Sequence, residues 1–344
     1  ADLTLRPYYY ATDTLVLDAR NMIFHEVELR DMKGHTLLYT LDYNKRRLKL
    51  HLEKKIQATD TLMLHLKYTA HPDESDAEGL SAIRDDKGLY FINADQYEPY
   101  KPQEIWTQGE PESNSNWFPT IDAPNEKFTI DLSITVNKEL TTLSNGLRTA
   151  SDIHGNLRTD HWVMKQPMPA YLVMMAVGPF VVTNDSLQEA GQQRIDVSRQ
   201  DTLHLYRQDS LHTAFDSIVR HQETRTIPVM KDKLNGVGVS YYLEPDYAPY
   251  AKDLFGKTPA MIHFFSERLG VPYPWEKYAQ VVVRDYVSGA MENTSATLHG
   301  ESVQKNRREL LESPNDDIIS HELFHQWFGD LVTCRAWSQL VLNE

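Results

Sequence analysis

The chain has a single cysteine, Cys334, in 344 residues. One thiol cannot close an internal disulfide or furnish a thiolate-rich zinc site, so any metal is left to histidine and carboxylate. Long apolar runs are missing too: none approaches the roughly 18 residues that a membrane-spanning helix requires. Basic charge is scarce, with 35 Lys and Arg against 49 Asp and Glu and a formal net charge of −14. That balance disfavours the clustered positive charge on which sequence-independent nucleic-acid binding depends. It is compatible with a cleft that attracts cations, although solubility alone accounts for it. The opening residues, ADLTLRPYYY, contain neither an initiator Met nor a signal sequence, so a processing step or a chosen boundary is expected upstream. The expected compartment is periplasmic or extracellular if a signal has been removed, and cytoplasmic otherwise.

What is present is globular: 41% hydrophobic and 24% charged residues, in a chain long enough for two cores. The first half reads as strands. Leu48, Leu50 and Leu52 alternate with polar neighbours, as do Leu62, Leu64 and Leu66, and FTIDLSITV puts Phe128, Ile130, Leu132, Ile134 and Val136 on one face. Strict alternation means one buried face and one wet face, the pattern of antiparallel sheets. His51 and His65 fall on the wet faces and are read as surface residues. After Gly178 the pattern changes to a polar stretch over 184–235 with a possible helix in LHTAFDSIVRHQETR. A strand in VSYYLEP, a helix in TPAMIHFFSERLG ending on Gly270, and a buried strand in YAQVVVRDY follow. Strands first and mixed elements later predict an α+β chain of two domains, 1–180 and 181–344.

The final stretch is HELFHQWFGDLVTCRAWSQLVLNE. On a helix, His321 and His325 lie one turn apart on one face and can aim both imidazoles at one ion. Glu322 can reach a water near that ion without ligating it. Ser313 as N-cap, Pro314 at the first position and Asp316 predict where this helix starts, and Gly329 predicts its stop. Ile318, Ile319, Phe324, Trp327 and Phe328 are expected to bury it. Two histidines four apart also occur by chance on helices. Glu344, separated from His325 by eighteen residues, weighs against chance. A second helix capped at Trp337-Ser338 would return its carboxylate to the ion. Two His and one Glu leave a fourth position open, the arrangement of a catalytic zinc rather than a structural one.

HELFH, eighteen residues, then Glu, preceded by GAMEN at Gly289 to Asn293, resembles the aminopeptidase N family of zinc aminopeptidases. TQGEP at Thr107 to Pro111, FPTIDAPNEKFTI, MPAYLVMMAVG and LGVPYPWEKY resemble further family segments and occur in family order. The resemblance implies a saddle-like N-terminal β domain followed by the first half of a thermolysin-like zinc peptidase domain, truncated after the third zinc ligand. It implies one zinc ion on His321, His325 and Glu344, with Glu322 as general base. It also implies Glu292, Glu110 and Gln108 at the free amine or first side chain of a peptide substrate. The segment Gly289, Ala290, Met291 and Asn293 would then run along the bound peptide. The family's tyrosine lies downstream of the third ligand, so the chain by itself is expected to bind zinc weakly and turn over little. Where the family more commonly has Trp-Gly after GAMEN, this chain has Thr294-Ser295, so the rim of the first-residue pocket is expected to differ. Three alternatives stay open: a thermolysin-like endopeptidase, a bifunctional hydrolase resembling leukotriene hydrolase (which has Gly-Gly where this chain has Gly-Ala), and a peptide-binding scaffold with a relic site. Asp330 and Trp327 are expected to support the site by packing, and Cys334 to sit in the core.

Overall fold

The computed structural model describes residues 1–74, 86–187 and 236–343. The polar stretch and the helix expected in LHTAFDSIVRHQETR lie outside these residues, and so does Glu344.

Two three-stranded antiparallel sheets open the chain. One orders Asp2–Leu5, Leu62–Ala70 and Met22–Asp31, and the other Thr12–Asp18, Arg47–Ile56 and Tyr39–Tyr43. Their shared core is the leucine set read from alternation: Leu48, Leu50, Leu52, Leu62, Leu64 and Leu66, joined by Leu17 and Leu29. The opposite faces are polar. There Lys67 pairs with Glu26 at 2.9 Å, and His51 and His65 are exposed, as expected.

A third sheet orders Leu147–His154, Leu157–Pro169 and Lys127–Asn137. Along Lys127–Asn137 the five predicted inward residues are half-buried or buried, while Thr129, Asp131, Ser133 and Thr135 between them are exposed. A fourth sheet orders Thr141–Ser144, Met175–Gly178, Glu104–Thr107 and Leu89–Ile92. Trp106 at its centre is fully buried. It stacks on Tyr90 with centroids 4.1 Å apart and donates its indole N–H to the Arg284 carbonyl at 3.0 Å.

That last bond ties the fourth sheet to a five-stranded mixed sheet, ordered Val181–Ser186, Gly238–Leu243, Lys277–Val283, Ala296–Gly300 and Ala290–Met291. Lys277–Val283 runs parallel to both neighbours and is buried at every residue. This is why its sequence is nearly continuous in apolar residues and does not alternate. The helix Thr258–Leu269 ends on Gly270, whose φ of 68° is the left-handed stop read from the sequence. The α+β class, with an antiparallel β-rich first half, is as expected.

Three local expectations are corrected. The helix carrying His321 spans Asp316–Phe324 with Asn315 as N-cap, while Ser313 closes the preceding helix Arg307–Glu312. Ser313 is occupied there: its backbone N–H donates to the Glu309 carbonyl, and Lys305 Nζ donates to its carbonyl at 2.9 Å. Secondly, the segment from Trp337 is a 3-10 helix, Trp337–Leu342, with Ala336 and not Trp337-Ser338 at its cap. Thirdly, only Ile319 and Trp327 of the five apolar residues are fully buried. Phe324 and Phe328 are exposed and stack on each other at 5.3 Å, because they face a cavity and not the core.

Candidate metal and peptide site

Packing fixes the helix Asp316–Phe324 through Ile319 and Leu323, which point into the core beside Tyr278 and Trp327. Its other side then presents His321 to solvent and half-turns His325 inward. The two Nε2 atoms approach to 3.1 Å, with the rings nearly perpendicular at 86°. Two imidazoles on one tetrahedral zinc, each about 2.05 Å from it, would hold their nitrogens about 3.3 Å apart. His325 Nδ1 lies 2.9 Å from the Phe328 carbonyl, so that nitrogen carries the proton and Nε2 keeps its lone pair. The pair therefore fits a metal. Among the described residues no third His, Cys, Asp or Glu completes a metal-binding group with them. Glu322 is buried on the same helix.

His321, His325, Phe324 and Phe328 line a cavity of about 290 Å³ together with Leu342 and Asn343. Asn343 is buried and held from two sides: its Oδ1 accepts from the Cys334 backbone N–H at 2.8 Å, and its Nδ2 donates to the Tyr171 hydroxyl at 3.1 Å. Cys334 is buried, as read, and burial pushes its thiol up.

The GAMEN segment sits directly beside the helix. Ala290–Met291 is the outermost strand of the mixed sheet, and Gly289, on its approach, is exposed. Met291, Glu292 and Asn293 are buried. Gly329 shows how close Glu292 comes to the histidines. A Cβ on this glycine, whose φ is 121°, would meet His325 Nδ1 at 3.2 Å and Glu292 Oε1 at 3.6 Å. Gln108 is buried and bridges toward the same place: its Nε2 lies 3.3 Å from the Met291 sulfur, and its Oε1 accepts from the Tyr286 hydroxyl. The loop carrying it is packed tightly, because a Cβ on Gly109 would lie 2.2 Å from the Tyr171 carbonyl. Glu110 is half-buried.

The site is strongly acidic. Burial pushes the Asp330 carboxyl well above its ordinary range, and the Glu292 carboxylate adds to this while the Thr294 hydroxyl opposes it. Burial also raises Tyr286 and Tyr171 well above the usual phenol value, with Glu292 contributing at both. A group that is positively charged would relieve this repulsion. Sequence reasoning passed over Gln326, Tyr286, Tyr171 and Asn343. Gln326 stands beside His325, Tyr171 lies within the quoted MPAYLVMMAVG and Asn343 within the final stretch, so these could have been noticed; Tyr286 carries no local motif.

Two family descriptions match the chain: the Peptidase M1 N-terminal domain over residues 2–172, and the Peptidase family M1 domain over residues 254–344. Aminopeptidase M1 of Arabidopsis thaliana is 26% identical over 271 residues, which are 77% of this chain and 26% of that protein. Endoplasmic reticulum aminopeptidase 1 of Mus musculus is 37% identical over 120 residues, 34% of this chain and 13% of the relative. The chain thus spans about a quarter or less of the length of these relatives. The crystal structure of an M1 zinc metallopeptidase from Deinococcus radiodurans superposes with a TM-score of 0.66 at 20% identity, covering 100% of this chain and 62% of that one. At that identity the likeness concerns the fold.

Proposed function

We propose, from the premise that this chain belongs to peptidase family M1, that it carries the metal-binding and amine-reading half of a zinc aminopeptidase. The observation that carries the reading is the meeting of Glu292 with His325 across Gly329, beside two histidine nitrogens that face each other. An enzyme that removes one residue at a time must hold a free α-ammonium at a set distance from its metal. A buried carboxylate next to the metal histidines suits that task.

His321 and His325 would hold the zinc, with Glu344 as third ligand. In support of Glu344, its neighbour Asn343 lines the same cavity as the two histidines. Zinc, when bound, supplies Lewis acidity toward the scissile carbonyl and toward a water. Glu322 would take the proton from that water and deliver it to the leaving amine. Glu292, assisted by Glu110 and Gln108, would bind the substrate's ammonium. The outermost strand Ala290–Met291 has one edge unpaired among the described residues, which suits the addition of an extended peptide alongside Gly289 and Ala290. The change of sheet between Met175–Gly178 and Val181–Ser186 supports a domain boundary near residue 180. Among the described residues no helix is long and apolar enough to cross a membrane.

The test uses the full-length protein and compares peptides with free and N-acetylated amino termini. Release of single amino acids from the free peptides, chelator-sensitive and absent with the acetylated ones, is the expected result. Internal cleavage of acetylated peptides at similar rates would replace this reading with an endopeptidase.

A further inference from the structure

We propose that Gln326 is a positioning residue that sets the distance between the amine-binding carboxylate of Glu292 and the metal histidines. The proposal rests on the aminopeptidase reading and adds a residue to it. Gln326 is fully buried. Its Nε2 donates to the Glu292 backbone carbonyl at 2.6 Å, and its Oε1 accepts the Ser295 backbone N–H at 2.8 Å. Only one orientation of the amide serves both partners, because a backbone N–H faces one end and a carbonyl the other. The Tyr273 hydroxyl lies 3.3 Å from Oε1 and 2.9 Å from the Lys277 carbonyl, its nearer acceptor.

One side chain therefore grips both ends of the turn from Glu292 to Ser295. Other anchors of that turn come from elsewhere. Asn145 Nδ2 donates to the Thr294 carbonyl at 2.8 Å, Gly146 N–H donates to Ser295 Oγ at 2.9 Å, and Lys277 Nζ donates to the Ser295 carbonyl at 3.1 Å. None of these three is attached to the segment that carries the histidines. Gln326 is the next residue after His325, so its two bonds are a direct mechanical link from the histidine pair to the backbone of Glu292. Ser295 sits at a φ of 65°, a left-handed conformation that a serine holds only when its surroundings impose it. Without Gln326 the turn loses its two bonds to the residue beside His325, while the histidines keep their own support at Phe328, Ile319 and Leu323.

The experiment uses Gln326→Met in the zinc-loaded protein. It measures the affinity of an amino-acid hydroxamate with a free α-amine, the affinity of its N-acetyl counterpart, and the zinc content. The wild type is expected to bind the free amine more tightly. In the variant that preference is expected to fall about tenfold, as loss of a buried hydrogen bond at a positioned carboxylate implies. Zinc content and affinity for the acetylated compound should stay within about twofold of wild type. An equal loss for both compounds, or loss of zinc with the preference intact, would overturn the proposal in favour of a plain packing role. Should Gln326→Met not fold, Gln326→Asn carries the same comparison, since it keeps both polar ends but is too short to span Glu292 and Ser295. A wild type that does not distinguish the two compounds would instead sink the aminopeptidase reading, and the role of Gln326 with it.

Discussion

Lys277 offers a test of how the turn after Glu292 is held from the N-terminal side. Its Nζ donates to the Ser144 carbonyl at 2.9 Å and to the Ser295 carbonyl at 3.1 Å, and it lies 5.6 Å from the centroid of the Trp162 ring. No carboxylate pairs with it among the described ion pairs, and burial pulls its ammonium from the ordinary 10.5 down to about 7. Between those two values the unfolded chain still carries a proton that the folded protein has released. Stability therefore rises with pH across that window, by about 1.4 kcal/mol per pH unit, and is flat below it, where both states are protonated. The whole shift corresponds to roughly 5 kcal/mol. Lys277→Met keeps the length of the side chain and removes the titration. From about pH 7.5 to about pH 9.5 the stability gap between wild type and variant should move by just under ~3 kcal/mol in favour of the wild type. Urea unfolding followed by tryptophan fluorescence measures it. The slope is the test and not the intercept, because methionine also removes the donors to Ser144 and Ser295. A gap that stays constant across the two pH units would refute the reasoning. It would mean that the carbonyls and the Trp162 ring hold the ammonium charged in the folded protein as firmly as water does in the unfolded chain.

Two further outcomes follow from other buried carboxyls. Glu322→Gln removes the proposed general base but no metal ligand, so turnover should fall about a hundred- to ten-thousandfold while metal analysis finds zinc retained; loss of zinc in step with activity would argue that Glu322 holds the site together instead. Glu104, 2% exposed, accepts the Arg284 backbone N–H, and burial raises its carboxyl to about 8. Between about 4.5 and 8 the folded state thus holds a proton that the unfolded chain has lost, and stability falls as pH rises, by about 1.4 kcal/mol per unit. Glu104→Gln should flatten that fall between pH 5.5 and pH 7.5 in thermal unfolding, and an unchanged slope would show Glu104 ionised in the fold.

The parts of this structure that were legible in the sequence are those that a short period or a fixed spacing encodes. Leu48, Leu50 and Leu52 declare one buried face because the pleat repeats every two residues, whatever lies opposite. His321 and His325 declare a shared direction because a helix repeats every 3.6. Gly270 stops its helix by its own lack of a Cβ. Glu104 and Lys277 were not legible. Each looks like an ordinary surface charge until Arg284 or Ser144 and Ser295 are brought to it from elsewhere in the chain. Ser313 misled because serine, proline and aspartate make a good helix start locally. The competing helix Arg307–Glu312, with its own capping box at Asn306 and Glu309, already claimed Ser313 as its end.

The spacing from His325 to Glu344 is not bridged by the α-helix expected from Trp337. An α-helix from Trp337 would repeat every 3.6 residues, whereas the observed segment Trp337–Leu342 is 3-10 and kinked at Gln339, whose φ of −114° is not helical. Counting turns of an α-helix therefore cannot say where the residue after Asn343 points. What holds Asn343 itself is a pair of bonds, one to the Cys334 backbone and one to the hydroxyl of Tyr171, 172 residues upstream. Tyr171 also donates to the Gly329 carbonyl, so the same phenol steadies the loop that follows His325. An eighteen-residue gap can return a carboxylate to a metal only if its last turn is anchored relative to the first ligand. Asn343, the residue before Glu344, is anchored from both sides, by Cys334 on its own segment and by Tyr171 of the N-terminal β-rich half, so the proposed third ligand would depend on both halves of the chain.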